Sequence, residues 1–575
     1  MRKKDNRFIF LTIITVVLVN ILSNYVSYSF DLTLDNRHSI SEQTYELLNT
    51  LDDDVYIKVY LDGDFPAGFK HLQQATKDIL FSFKKITPDH IEYEFINPNA
   101  YNNEADRNAL YKQLYDQGLY PTDLQVKNST GLSSQIIFPG AILYYKNKST
   151  SINFLQNNSG NTPEHNINTS VAHLEFELFT AINHLIKPTL TSIAFLTGNG
   201  ELSEEQLYDI THSVQNDNYK LSYCFNVTHF DIKSFEIDST TMQVSLEKQL
   251  QKLNLFKAII IAKPTIPFNN IDKFLIDQYI MHGGKVLWLV DGVHANMDSL
   301  RKKEGSFIAL KNDLNLDDQL FKYGVRINAD LIEDQRATEI PIITGYSASK
   351  PQQTFFKWPY YPLLFSESNH PVSRKLDAVK CDFVSSIDTI KNNINKTILL
   401  HSSQKSRLTL APSKISLGFL ENPPPIDTYN KSNIPIAVLL EGKFESVFNN
   451  RILPKNNAIT LVGHSAENKM IVIADGDIIA NRINSKGAVY PLGYDPFIDF
   501  VYPGNKIFIM NALQYLCDEH ATLMLKGKEL KLRMLNKSII IEYRIFIQLI
   551  NIVLPLLFLG LFGFIYTLIR KKNYA

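Results

Sequence analysis

Three short segments place chemically capable side chains directly after apolar runs. Thr197-Gly198-Asn199-Gly200-Glu201 follows IAFL, Asp291-Gly292 follows KVLWLV, and Asp475-Gly476-Asp477 follows MIVIA. In the first, glycines bracket a turn between a predicted strand and helix. Backbone N–H groups at that helix start can face an anion, which makes Gly198, Asn199, Gly200 and Glu201 candidate ligand-binding residues. The turn lacks GxGxxG spacing, and no P-loop lysine follows it. Glu201 is also favoured near a helix N-terminus by the dipole alone. Asp291, Asp475 and Asp477, if neighbours, supply the oxygen ligands of a divalent-cation site. Asp and Gly equally end strands as turn formers, so these residues are carried as candidate ligand-binding residues and no metal or cofactor is expected. His464-Ser465 and the remaining histidines lack ligand spacing, and no catalytic triad can be assembled.

The elements that must hold these residues alternate. From residue 191 the chain runs TSIAFLTGNGE, a predicted helix from Leu202 to about Asn218, YKLSYCFNV, FKAIIIAKP, the helix IDKFLIDQYIMHG and GGKVLWLVDGVHA; NKMIVIADGDIIANR repeats the pattern later. Unbroken apolar strands between helices predict a doubly wound parallel sheet buried on both faces. In such sheets ligands lie beyond the carboxyl ends of the strands, where TGNGE, KP and DGVHA fall. Residues 325–450, with KWPYYPLLF and an ENPPP linker, read as an insertion that extends the sheet or forms a flanking subdomain. A helix IFIMNALQYLC closes the unit.

The predicted domain resembles the glutamine-amidotransferase-like type, and Asp291 falls where such a domain would carry its nucleophilic Cys. A nucleophile needs a thiol or hydroxyl beside a base; this chain offers Asp with His294 three residues on, so no enzymatic activity is expected, the alternatives being an envelope hydrolase or amidotransferase-like enzyme that uses the acidic strand-end edge, or a ligand-free periplasmic scaffold. Before this unit, 31–188 has the order of a thioredoxin-like domain: a short helix capped by Ser39 or Ser41, the strand VYIKVYLDG, a helix, the strand IEYEFINP, a second helix, the segment DLQVKN, a hairpin and a final helix at 171–187. The polar stretch 147–170 reads as a hairpin end and an exposed loop. Thiol exchange is excluded, since DGDFPAGF carries no CxxC.

The chain has 575 residues, roughly four domains' worth by length, with 58 Lys+Arg against 59 Asp+Glu. That balance lacks the basic footprint of a nucleic-acid binder. The three cysteines, Cys224, Cys381 and Cys517, are isolated and read as buried small apolar residues. Both ends are hydrophobic. Residues 8–30 are free of charge behind Arg2, Lys3, Lys4 and Arg7, and a helix of that length reaches roughly 35 Å, enough for a ~30 Å hydrocarbon layer. Residues 545–569 are charge-free before Arg570, Lys571 and Lys572. There Gln548, Asn551 and Pro555 share one helix face and suggest contact with a membrane partner. The first segment reads either as an uncleaved anchor or as a signal peptide with a poor cleavage site at Ser27-Tyr28-Ser29; as an anchor, its leader's charge predicts a two-pass protein of the bacterial inner membrane with both termini cytoplasmic and the bulk periplasmic. The basic stretch 523–544 opposes this bias, but the first span usually dominates. The domain boundaries expected are 1–30, 31–188, 189–522, 523–544, 545–569 and 570–575.

In this order, the basic leader and anchor, TGNGE, IDQYIMHGGKVLWLVD, KWPYYPLLFSESNHPVSRKLDAV, VLLEGKFESVFNNR, IVIADGDIIANR and the closing span resemble the gliding-motility-associated GldG family of ABC transporter auxiliary, substrate-binding-type proteins of Bacteroidota. The resemblance implies a non-ATPase subunit that acts with a GldF-like permease and a GldA-like cytoplasmic ATPase on an unidentified substrate. It also implies a GHGE turn where this chain has Asn199 in place of the histidine.

Overall fold

The computed structural model describes residues 40–517, apart from 101–102, 129–130, 156–161, 187–190, 216–224, 237–244, 303–304, 348–349, 367, 375 and 455–458, together with 543–574. The predicted span 8–30, the connector up to residue 542 and Cys224 lie outside the described residues. Residues up to Lys528 form one compact unit and those from Glu529 a second.

The fold is mixed α/β. Its first part opens with α1 (Glu42–Asn49), capped by Ser41, whose hydroxyl accepts the Thr44 N–H. Strand β1 (Val55–Val59) turns Val55, Ile57 and Val59 inward, as its alternation dictates. Helix α2 (Ala67–Ile86) then leads to β2 (Ile91–Phe95), parallel to β1 with Val55 opposite Ile91. After α3 (Glu104–Asp116), one hairpin pairs β3 (Thr122–Asn128) with β4 (Gly131–Ile137). A second pairs β5 (Gly140–Tyr145) with β6 (Lys148–Asn153), giving a four-stranded sheet of order β2-β1-β5-β6. Helix α4 (Pro163–Ile186) packs Leu174 and Leu178 into the same core as Leu72 and Phe83 of α2. The stretch expected as an exposed loop is thus helical from Pro163. Proline suits the first helical position, and the Thr162 hydroxyl accepts the His165 N–H at 3.3 Å.

The second part is built on β7 (Thr191–Thr197), α5 (Tyr208–Gln215), β8 (Phe225–Asp231), α6 (Leu246–Leu253), β9 (Ala258–Ala262), α7 (Asn270–Met281) and β10 (Lys285–Leu289). There follow α8 (Asp317–Tyr323), β11 (Asp330–Asp334), β12 (Ala337–Ser347), β13 (Lys350–Leu364), β14 (Asn395–His401), β15 (Ser406–Leu410), β16 (Pro435–Glu445), β17 (His464–Ile473) and α9 (Pro503–Cys517). Seven strands form one sheet in the order β14-β16-β17-β10-β9-β7-β8. The five from β17 to β8 are mutually parallel, and β16 runs against β17. Side chains alternate between two cores: Ile193 and Phe195 lie on the α9 side with Phe508, Ala194 and Leu196 on the α7 side with Phe274. That double burial explains why these strands are apolar throughout.

Residues 325–450 contribute both to the main sheet and to smaller ribbons beside it. Strands β14 and β16 widen the sheet, while β11 pairs with β15 and β12 with β13 as smaller flanking ribbons. A further helix boundary differs: α5 begins at Tyr208 rather than Leu202. The apolar Leu202 and Leu207 are buried all the same, and the Leu202 N–H donates to the carbonyl of Ala262, the last residue of β9.

The second unit contributes α10 (Arg544–Tyr574), with Pro555 inside it. Its portion Gln548–Lys571 is long and apolar enough to cross a membrane.

Candidate functional site at the carboxyl edge of the sheet

Strand order and register decide which loop residues meet. Leu289 of β10 lies opposite Ala262 of β9 on one side and Ile473 of β17 on the other. The residues just beyond these three ends therefore share one edge. The structure brings Asp291, Asp475 and Asp477 together, with one carboxylate oxygen of each within 4.8 Å of the others. It adds a partner, Lys263, the residue immediately after β9. Its Nζ lies 2.5 Å from Asp477 Oδ2 and 3.6 Å from Asp291 Oδ2, so an ammonium of the chain itself compensates the carboxylates. Nothing in the composition of the KP turn distinguishes this lysine from an exposed one; only its position at a strand end marks it.

Backbone groups fix the carboxylates. The Gly476 N–H donates to Asp291 Oδ1 at 2.5 Å, the Asp477 N–H to Asp475 Oδ1 at 2.7 Å, and the Asp382 N–H to Asp475 Oδ2 at 3.0 Å. Lys263 holds a left-handed backbone at φ 53°, a conformation that costs a non-glycine residue of order 1 kcal/mol or more. The loop opposite must be glycine: a Cβ at Gly476 would lie 2.6 Å from Lys263 Cβ. Around this centre, Asp382 accepts from Lys380 at 2.6 Å and from Arg482. The Lys380 ammonium is also 3.9 Å from Asp495. These four come from the insertion and from the loop after β17, remote in sequence from Asp291.

The Thr197 to Glu201 turn stands apart at the end of β7. Gly198 and Gly200 take φ values of 118° and 73°. Asn199 is completely buried. Its N–H donates to Glu201 Oε2 at 2.7 Å, and its amide reaches Pro267 O and Asp272 Oδ2, both at 3.3 Å. Its carbonyl accepts the N–H groups of Thr265 and Ile266. The Asn199 N–H, one of the donors expected to face an anion at a helix start, is thus engaged within the protein, and the helix that follows, α5, begins only at Tyr208. Burial pushes the Glu201 carboxyl up. His294 is exposed on a short strand beside Leu310, and His464 opens β17 at the opposite, amino edge of the sheet. On α10, Gln548, Asn551 and Pro555 are exposed.

Residues 191–512, more than half of the chain, match the family described as an ABC-type uncharacterized transport system, of auxiliary type. The chain belongs to this ABC transport auxiliary family. Residues 34–144 match a domain of unknown function, DUF7088. No curated protein matches. Among solved structures, the mmIFT52 N-terminal domain is similar at 14% identity and a TM-score of 0.30, over 57% of this chain and 97% of that one.

In this ABC transport auxiliary protein the acidic edge is electrostatically tense. Burial pushes Asp291 up to about 6, with Lys263 working against the rise and Asp477 adding to it. Burial also drives Asp475 well above the carboxylate range, helped by repulsion from Asp477 and Asp291. Desolvation opposes the charge on Lys263, but Asp477 and Asp291 outweigh it and hold its pKa above that of a free lysine. Asp382 is also desolvated, yet Lys380 and Arg482 hold it low.

A pH signature follows. Asp291 binds its proton more tightly folded than unfolded, so its favourable contribution is present below its ordinary 3.8 and is lost as pH rises to about 6. The stability of the wild-type protein relative to Asp291→Asn is expected to fall by on the order of 2–3 kcal/mol between pH 4 and 6.5 and then level off. Denaturant unfolding of both proteins across that range checks this; parallel pH curves would exclude the assignment.

Proposed function

We propose that this protein is a membrane-anchored, non-ATPase auxiliary subunit of an ABC transporter that presents its folded body outside the cytoplasm. The family match over residues 191–512 carries this proposal. The apolar α10 supports the anchoring, and the charge-free stretch 8–30 behind a basic leader supports a second span with both termini cytoplasmic. Gln548, Asn551 and Pro555 on one face of α10 are the contact to a multispanning permease. ATP hydrolysis belongs to a separate cytoplasmic ATPase, since the chain has no Walker lysine motif.

Within the body, the βαβ order of the first sheet supports a thioredoxin-like domain over 31–188. The parallel core of the second supports a doubly wound, amidotransferase-like domain over 189–522. Segment by segment, the resemblance to GldG supports a place in gliding-motility transport beside GldF-like and GldA-like subunits.

Co-purification of the full chain from its own membranes tests this. A permease and an ATPase are expected in the complex and are expected to be lost when both apolar segments are exchanged for unrelated spans. Intact assembly after the exchange, with normal protein level, would refute packing through the spans.

A further inference from the structure

A second concave site shares no residue with the acidic edge. A cleft of about 630 Å³ opens where α8 faces residues 326–329 and the stretch after β16. This lies within the size range of small-molecule sites, roughly 300–1,000 Å³. Its lining carries four cations, Lys311, Lys322, Arg326 and Arg451, against two carboxylates, Asp317 and Asp318. Phe321, half exposed, joins Ile327 and Val447 as its apolar part. We propose that this cleft binds a small organic anion, a carboxylate or phosphate ester bearing an aromatic or short apolar group.

The cations are paired but not saturated. Lys311 meets Asp317 at 2.5 Å, Lys322 meets Glu445, Arg326 meets Asp388 at 2.5 Å and Arg451 meets Asp318. Each lysine spends one of three donors in these pairs. Arg326 spends its Nε on Asn328 and one terminal nitrogen on Asp388, which leaves its guanidinium donors to spare. The four cationic side chains are 42–54% exposed, and pairs of that kind contribute only about 0–1 kcal/mol. Their rearrangement toward a ligand is therefore cheap. Asp318 stays neutralised even if Arg451 turns away, because Lys273 also holds it at 2.5 Å.

An incoming cation finds fewer ligands, since only two carboxylates line the cleft and Asp318 is already shared by Lys273 and Arg451. Arginine forks match the two oxygens of a carboxylate or phosphate, and the Phe321 ring supplies apolar area next to them. Permease association is not needed for this binding, so a failure of the transporter assignment would leave it standing.

Calorimetric titration of the purified full chain in neutral detergent tests the cleft with phenyl phosphate, benzoate, inorganic phosphate and phenol. Phenyl phosphate or benzoate is expected to bind saturably, and the tighter of the two identifies the head group. Inorganic phosphate and phenol should each be weaker by roughly tenfold or more, as each lacks one half of the recognition. Arg326→Gln combined with Arg451→Gln should weaken the better anion by about tenfold or more, and Phe321→Ser should abolish its advantage over inorganic phosphate. Melting curves accompany each variant; where the double variant melts early, Lys322→Gln makes the same comparison from an exposed position. No saturable binding of either aromatic anion up to roughly 10 mM, or an unchanged affinity in the folded arginine variants, overturns the proposal.

Discussion

Lys263→Met is expected to destabilise the folded body by roughly 3–5 kcal/mol at pH 8, the cost of leaving buried charge without its partner. Methionine keeps the length and apolar stem of lysine, so the effect reports the ammonium rather than a cavity. Without it, Asp291 and Asp477 face one another beside Asp475 with no cation at 2.5–3.6 Å. The loss should shrink at pH 5, because Asp291, already raised to about 6, is then largely protonated. Lys263 itself contributes nothing to that pH dependence, since a raised lysine stays charged throughout the interval. Adding Asp291→Asn should restore part of the stability by removing one of the stranded charges. Urea unfolding followed by tryptophan fluorescence reads all three proteins. A loss below about 1 kcal/mol, the scale of an exposed pair, would show that solvent already screens the network.

Glu333→Ala should cost a similar amount, about 3–5 kcal/mol, but in the flanking ribbons. The Glu333 carboxylate is fully buried on β11. It accepts from Arg407 Nε and a terminal nitrogen at 2.7 and 2.8 Å, from the Thr409 hydroxyl at 2.5 Å and from the Tyr360 hydroxyl at 3.0 Å. The Tyr429 hydroxyl donates to it as well, at 3.4 Å, so removing it strands a guanidinium and two phenols together. Glu333→Gln keeps the shape but turns an amide N–H toward donors, and should cost roughly 1–3 kcal/mol. The two tryptophans separate the regions: Trp288 lies in the central sheet, while Trp358 packs 5.2 Å from the Tyr360 ring. Single-tryptophan versions of Glu333→Ala should show Trp358 exposed at lower denaturant, with Trp288 following later or together. An unfolding curve like the wild type's at both positions would mean that water replaces the carboxylate at little cost.

Much of this architecture was legible because burial on two faces leaves a compositional trace. AIIIA and KVLWL, short, apolar and bounded by turn residues, read as strands covered on both sides, and their alternation with helices predicts the parallel sheet that β17 to β8 form. Pattern likewise placed Asp291, Asp475 and Asp477 just after apolar strands, while their being neighbours stayed conditional until strand order brought them together. Helix boundaries were less legible where one pattern serves two structures. Leu202 and Leu207 are apolar at helical spacing, yet they fill the core from a turn tied to Ala262. Polar composition hid the first turns of α4, where Asn166 and Ser170 point inward.

The sequence by itself determined which apolar strands are inside, where they stop and which acids follow them, because these depend on local pattern and the period of each element. The tertiary structure alone decided what those acids face. Lys263, Lys380, Asp382 and Arg482 are scattered along the chain, and strand order and register carry them to within hydrogen-bond range of the aspartates or of one another. At such distances in a desolvated edge, the partner sets the charge, and no local pattern encodes which partner that is.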